Sequence, residues 1–443
     1  MKRMIAVLLC AALMAGVFCA CGGGEAPAEK YTEAEPEMSG AADLYSEAPA
    51  AASGMYEMRS ATDDADGAPA LKADTADSAY SYAATEGMSE AMPMPEPVPP
   101  IDGHRYPEPQ AGMLTAGEWN DNDNFDFFSE VLERSQWRGL AAAWRISPTS
   151  RVAVHVTDAS SQAPAKGVTV TLYGESSALA SAVTNADGMA YIYYNLDGES
   201  AEAPVKLTAG DSEYTLGNEN GVIEMTAEAP DSGEKTLDLM LMVDTTGSMA
   251  DELEYLKTEL RDVVRRVSSD NSGMKIRVSV NFYRDEGDDY VVRPFEFTED
   301  VESAVSDLSE QHADGGGDTP EAVDEAFKNA VKEHEWSDAS IKLVFFVLDA
   351  PPHVDRQGAS GTMRRCMSEA AEKGIRIIPV VSSGADTELE FLMRSAAAVS
   401  GGTYTFLTDD SGIGGSHLEP TVGEYEVEML NALMIRLINE YCR

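Results

Sequence analysis

Basic residues are scarce in this chain. Lys and Arg number 32 against 77 Asp and Glu, leaving a formal charge of -45. Nucleic-acid binding is therefore disfavoured, because phosphate backbones need Lys and Arg to displace their counterions. Electrostatic attachment to anionic lipid is disfavoured for the same reason. Cation binding stays open, and part of the surplus can simply serve solubility. Long apolar runs are scarce too. Met4 to Ala20 follows the basic head Met1-Lys2-Arg3, the shape of a secretory signal rather than of a spanning helix. No other run approaches the length that would span a membrane. Also missing are a Walker loop, an H-E-x-x-H, a G-x-S-x-G and a plausible Cys/His pair, and the six histidines are scattered. Turnover is not expected from such a chain.

The 443 residues allow two to four domains at roughly 100–200 residues each. Residues 22 to 110 hold eleven of the 21 prolines and 18 acidic against 4 basic residues. Low hydrophobicity with high net charge predicts a disordered tether, self-repelling and extended. Order is expected from about 112. The stretch Leu114 to Trp144 carries three of the four tryptophans and reads as an aromatic helical segment (112–148) docked on the next domain. Its acidic cluster, Asn120 to Asn124, fails EF-hand spacing, so an N-cap explains it more simply.

From 149 to 230 the apolar period is two. Val152, Val154 and Val156 alternate with polar neighbours, as do Val168, Val170 and Leu172. Turn signals between such runs predict a small antiparallel β-sandwich. From 236 to 443 the pattern changes again. Continuous apolar runs at 237–243, 276–280, 341–348 and 375–381 are separated by helical spacing. Helices are expected at about 320–334, 360–373, 386–399 and 423–441. Buried strands alternating with amphipathic helices predict an α/β, Rossmann-like domain with a mostly parallel sheet and helices on both faces. Ligands of such sheets sit at the carboxyl ends of the strands.

Three oxygen-rich loops fall at those ends. The first is Asp244-Thr245-Thr246-Gly247-Ser248-Met249, and the second is Gly315-Gly316-Gly317-Asp318-Thr319-Pro320-Glu321. The third begins at Asp349, after Val344-Phe345-Phe346-Val347-Leu348. Two carboxylates and three hydroxyls make a hard donor set suited to Mg²⁺, or to another divalent cation such as Ca²⁺ or Mn²⁺. Each residue also has a structural reading: Thr319 before Pro320 can cap a helix, Asp244 and Ser248 can do the same, and Asp349 can hold a turn. Asp285, Glu286, Asp288 and Asp289 form a further acidic loop. His353 and His417 are expected to be solvated loop histidines.

These three motifs, in this order, resemble the von Willebrand factor type A (vWA) domain. The resemblance implies a metal-ion-dependent adhesion site built from Asp244, Thr246, Ser248, Thr319 and Asp349. It also implies a protein ligand whose acidic residue completes the ion's coordination. Ala350-Pro351-Pro352 departs from the family, many members of which carry Gly after the third-loop Asp. The stretch Ala182-Val183-Thr184-Asn185-Ala186-Asp187-Gly188-Met189-Ala190-Tyr191-Ile192 resembles bacterial immunoglobulin-like or carboxypeptidase-regulatory-like modules. Residues 1–20, followed by Cys21-Gly22-Gly23-Gly24, resemble a bacterial lipoprotein signal, which implies acylation of Cys21 and an extracytoplasmic, membrane-anchored protein whose linker is 21–111. Cys366 and Cys442 would remain after export, as a disulfide or as two free thiols. The function expected is metal-dependent binding of a protein ligand at the cell surface. The alternatives are an envelope lipoprotein whose metal only stabilises the fold, and a metal-assisted hydrolase.

Overall fold

The computed structural model describes residues 108–199, 202–217, 221–231, 235–271, 273–317, 319–338 and 340–443. The signal, Cys21 and nearly all of the tether lie outside the described residues.

Strand β1 (Thr115–Trp119) comes first, then helices α1 (Phe125–Leu132) and α2 (Ser135–Trp144). Seven short strands follow: β2 (Arg151–Asp158), β3 (Thr169–Tyr173), β4 (Ala178–Val183), β5 (Met189–Tyr193), β6 (Lys206–Ala209), β7 (Ser212–Thr215) and β8 (Val222–Ala227). They form two sheets, ordered β5-β2-β8 and β4-β3-β6-β7. The alternating residues Val154, Val156, Val170 and Leu172 meet in one buried core between them. The pairing departs from the all-antiparallel expectation, because β2 and β8 run parallel.

The remaining elements are β9 (Thr236–Asp244), α3 (Leu253–Asp270), β10 (Lys275–Tyr283), β11 (Val292–Arg293), α4 (Val301–Ser309), α5 (Val323–Lys328), β12 (Ser340–Leu348), α6 (Ala359–Lys373), β13 (Ile375–Val381), α7 (Thr387–Ser400), β14 (Tyr404–Leu407), β15 (Glu428–Met429) and α8 (Leu430–Tyr441). Among the described residues the large sheet has the order β11-β10-β9-β12-β13-β14-β1-β15. From β10 to β14 neighbours run parallel, with β9 between β10 and β12.

Both faces are covered, which is why the strands read as unbroken apolar runs. In β9, Leu239, Leu241 and Val243 join the core under α3 and α8. Met240 and Met242 join the core under α5, α6 and α7. The helix expected from 423 begins only at Leu430, after β15. The helix expected over 320–334 is shorter, α5 passing into a π-turn at Asn329–Glu333.

The aromatic segment differs from expectation at its start. Residues 115–119 form a strand near one edge of the large sheet, lying between β14 and β15 and antiparallel to both. The sheet therefore extends beyond 236–443. The acidic cluster after β1 is tied into the same body. Buried Asp121 receives two hydrogen bonds from the fully buried Arg394 of α7, at 2.9 and 2.6 Å. Asn124 precedes α1 without a side-chain cap, while Asn120 Oδ1 accepts from the N–H of Asn122 at 2.9 Å.

The two cysteines are free. Cys366 lies in the core on one face of the large sheet and Cys442 in the core on the other. Of the two readings, the structure carries the free thiols.

Candidate metal centre at the sheet rim

The central position of β9 puts its last residue, Asp244, at the carboxyl end of the sheet, fully buried. Its Oδ1 accepts from the Thr246 N–H at 2.9 Å and from the Thr246 hydroxyl at 2.6 Å. The Thr246 and Ser248 hydroxyls are 3.1 Å apart. This curl leaves Asp244 Oδ2 buried with no hydrogen-bond partner. Next along the rim, β12 ends and Asp349 follows, 4% exposed, with Oδ1 likewise unpartnered. Asp244, Thr246, Ser248 and Asp349 are thus brought together at one end of adjacent strands.

Thr319 is exposed, and it does not cap the following helix, since α5 starts at Val323 with Ala322 before it. The second loop instead turns Glu321 inward. Glu321 is 2% exposed and its Oε2 has no partner. Its N–H donates to the Pro351 carbonyl at 3.0 Å, and it forms an isolated bridge with Pro352. The unexpected prolines of the third loop, which lack N–H groups, thus serve as a carbonyl-only edge for the second. The glycines close the first loop onto the second: Gly247 N–H donates to the Gly315 carbonyl at 3.2 Å and Asp314 N–H to that of Thr245 at 3.1 Å. Gly315 has φ +76°, and a Cβ there would collide with the Asp288 carboxylate.

The electrostatics follow from burial. The Asp244 carboxyl is raised above its usual range by loss of water, with the Thr246 hydrogen bonds pulling the other way. Asp349 is raised by burial and then by Asp244, while a hydrogen bond from Ser248 opposes the shift. Glu321 is pushed up to about 9, by burial first and then by Asp244, Asp285, Asp349 and Asp288. The Tyr283 hydroxyl is buried beside these carboxyls, and burial together with Asp244 pushes it well up. Among the described residues, no three His, Cys, Asp or Glu side chains already stand as a preformed metal cluster.

Residues 238–413 match the family model of the von Willebrand factor A domain. The chain carries a vWA domain. Among curated relatives, a putative ariadne-like RING finger protein of Acanthamoeba polyphaga mimivirus is 30% identical over 123 residues, which is 27% of this chain and 12% of that protein. The alpha-protein kinase vwkA of Dictyostelium discoideum is 28% identical over 146 residues, 33% of this chain and 23% of the kinase. The chain thus spans less than a quarter of either relative. Similar solved structures include BatB from Bacteroides thetaiotaomicron, with 15% identity and TM-score 0.32, covering 46% of this chain and 96% of that one. An aerotolerance-related membrane protein from Bacteroides fragilis gives 15% identity and TM-score 0.31, covering 46% and 98%.

The flanks of the vWA rim are more tightly paired than the sequence suggests. His417, expected to be solvated, has a side chain 4% exposed, its ring nitrogens 2.8 Å from Glu252 and 2.7 Å from Asp409. His353 meets Asp285 at 3.0 Å. Glu286 pairs with Arg356 at 2.6 Å, and Asp288 accepts from Gly316 N–H at 2.9 Å. Protein partners therefore account for most of that acidic loop. Among the described residues, no helix is long and apolar enough to cross a membrane.

Proposed function

We propose that this chain is a lipid-anchored bacterial surface protein that binds a protein ligand through a divalent ion, Mg²⁺ first among candidates, at the rim of its vWA domain. The observation that carries the reading is the set of buried oxygens without partners there, Asp244 Oδ2 and Asp349 Oδ1 foremost. A buried polar atom left unpaired costs about 1–3 kcal/mol, and a cation relieves that cost. Hard carboxylate and hydroxyl donors fit Mg²⁺, Mn²⁺ or Ca²⁺. Asp244 and Asp349 would hold the ion directly, with Thr246 and Ser248 offering their hydroxyls.

When bound, the ion supplies a Lewis-acidic position that a partner's Asp or Glu can fill. The protein's own part is to orient Asp244 through Thr246 and to keep the loops zipped. Binding is favoured over turnover at His417, where carboxylates hold both ring nitrogens and leave none to act as a general base. The depth of Asp244 also favours a second reading, in which the ion only stabilises the fold. Cys21 is assigned as the lipid attachment point, on the extracytoplasmic face of a bacterial membrane.

Calorimetric titration of the chelator-stripped full chain with Mg²⁺, beside Asp244→Ala, tests the site. Saturable binding lost in the variant is expected, and absence of binding to the parent chain overturns the proposal. Proteins captured by the chain should then be released by chelator. Ion binding without chelator-sensitive capture would favour the purely structural reading.

A further inference from the structure

We infer that Glu321, rather than Thr319, is the ligand the second loop gives to the ion, so that the centre holds three carboxylates instead of two. The inference rests on the metal-site reading above and refines it. Three observations on one loop support it. Thr319 is exposed. Two residues on, Glu321 is 2% exposed with Oε2 unpartnered. Its backbone is anchored to the third loop through the Pro351 carbonyl at 3.0 Å, so the side chain departs from a point fixed beside Asp349.

Glycine makes room for this. A Cβ at Gly316 would stand 3.1 Å from Glu321 Oε1, and Gly316 has φ +66°. The glycine run thus clears the path along which Glu321 reaches the rim. Asp244 and Asp349 are among the charged neighbours of its carboxylate. A buried carboxyl with two others among its charged neighbours and, among the described residues, no Lys or Arg hydrogen-bonded to it lacks a counter-charge that a cation would supply.

The charge arithmetic alters what a partner must do. Two carboxylates leave a divalent ion neutralised, and a third makes the centre net negative. A partner carboxylate would then have to displace Glu321 rather than fill a vacant position. Glu321 is in this sense an internal occupant of the position a ligand would take.

The test uses the full chain, Mn²⁺ as probe, and two readouts: affinity by calorimetry, and the water-proton relaxivity of the bound ion, which counts open coordination positions. Outer-shell partners of a metal typically cost 10–100-fold in affinity when removed, so losing a direct ligand through Glu321→Gln is expected to weaken Mn²⁺ at least ~10-fold. Relaxivity should rise as water replaces the carboxylate. Glu321→Asp, which keeps the charge but shortens the reach, should behave in the same direction. Thr319→Ala should match the parent in both readouts. Weakening by Thr319→Ala with an unchanged Glu321→Gln overturns this inference while leaving the metal site intact. Parent protein that binds no Mn²⁺, or binding that survives Asp244→Ala, overturns the metal-site reading and this inference with it.

Discussion

At the scale of single residues, the rim has a definite sign. Burial raises the Asp244 carboxyl above its ordinary 3.8. A carboxyl raised on folding favours the folded state below its unfolded pKa, and that advantage is lost as pH rises through the folded value. At neutral pH, without an ion, Asp244 is therefore held at a cost. Asp244→Asn keeps an oxygen to accept from Thr246 but removes the charge. In chelator it should stabilise the protein by on the order of 1 kcal/mol, read by urea denaturation, and it should abolish any shift on adding Mg²⁺. A loss of stability in chelator would mean that the carboxylate's own bonds to Thr246 dominate instead. The cysteines give a second residue-scale expectation. Burial pushes Cys366 up to about 12 and Cys442 up to about 11, so both thiols should be inert to alkylation in the native protein. After denaturation without reductant, both should react; one bridge resistant to alkylation would contradict their placement on opposite faces of the sheet.

At the scale of elements, legibility followed periodicity. Strand β13 spans the residues its apolar run marked, and α6 and α7 begin within one residue of their expected starts. The Asp244, Thr246 and Ser248 curl was readable because spacing along one loop determines it. Strand β1 was not readable, because Thr115–Trp119 is completed by residues about 290 positions away in β14, and the tryptophans around it suggested a helix. Glu321 and Thr319 share one loop, and which of the two side chains is buried depends on the Pro351 carbonyl across the gap, which spacing along the loop does not encode. His417 was missed for the same reason: Glu252 and Asp409 reach it from separate segments. Burial works against its charge, but hydrogen bonds to Glu252 and Asp409 outweigh that and raise its pKa above 6.5. A raised histidine stabilises the fold fully below its unfolded pKa, and the contribution is lost as pH rises through the folded value. Amides of 411–419 should therefore exchange faster as pH is raised from about 6.5, beyond the intrinsic base-catalysed increase. In His417→Ala the excess should vanish. An unchanged protection factor across that range in the parent would exclude the clamp.

At the scale of the whole molecule, the sandwich and the vWA domain do not have separate interiors. Tyr193 and Leu196, at the end of β5, are buried in the same core as Met363, Met367 and Phe391 of the vWA helices. In the other direction Ala371 of α6 belongs to the core of the sandwich. A polar link reinforces this, since Arg376 donates to the Val183 carbonyl at 2.7 Å, while the segment before the sandwich is tied in by the Trp144 indole, which donates to Glu388 at 2.6 Å. The buried Arg394 joins Asp121, before α1, to Glu390 at 3.3 Å on its own helix. Removing one partner of a buried pair costs about 3–5 kcal/mol where the remaining charge is left uncompensated, and with Glu390 still beside Arg394 the lower end is expected. Asp121→Ala should therefore destabilise the whole of 108–443, not only the segment that carries it. Calorimetry of 108–443 should give one cooperative transition, moved down as a unit by this variant. Two transitions, with only one moved by Asp121→Ala, would mean that the sandwich is an independent spacer and that the shared core residues contribute little to coupling. One transition would mean that residues around the sandwich carry load onto α6 and α7, the helices that pack beneath β12 and β13, the first of which leads into Asp349. A force or ligand acting on the sandwich would then act on the frame that holds the rim.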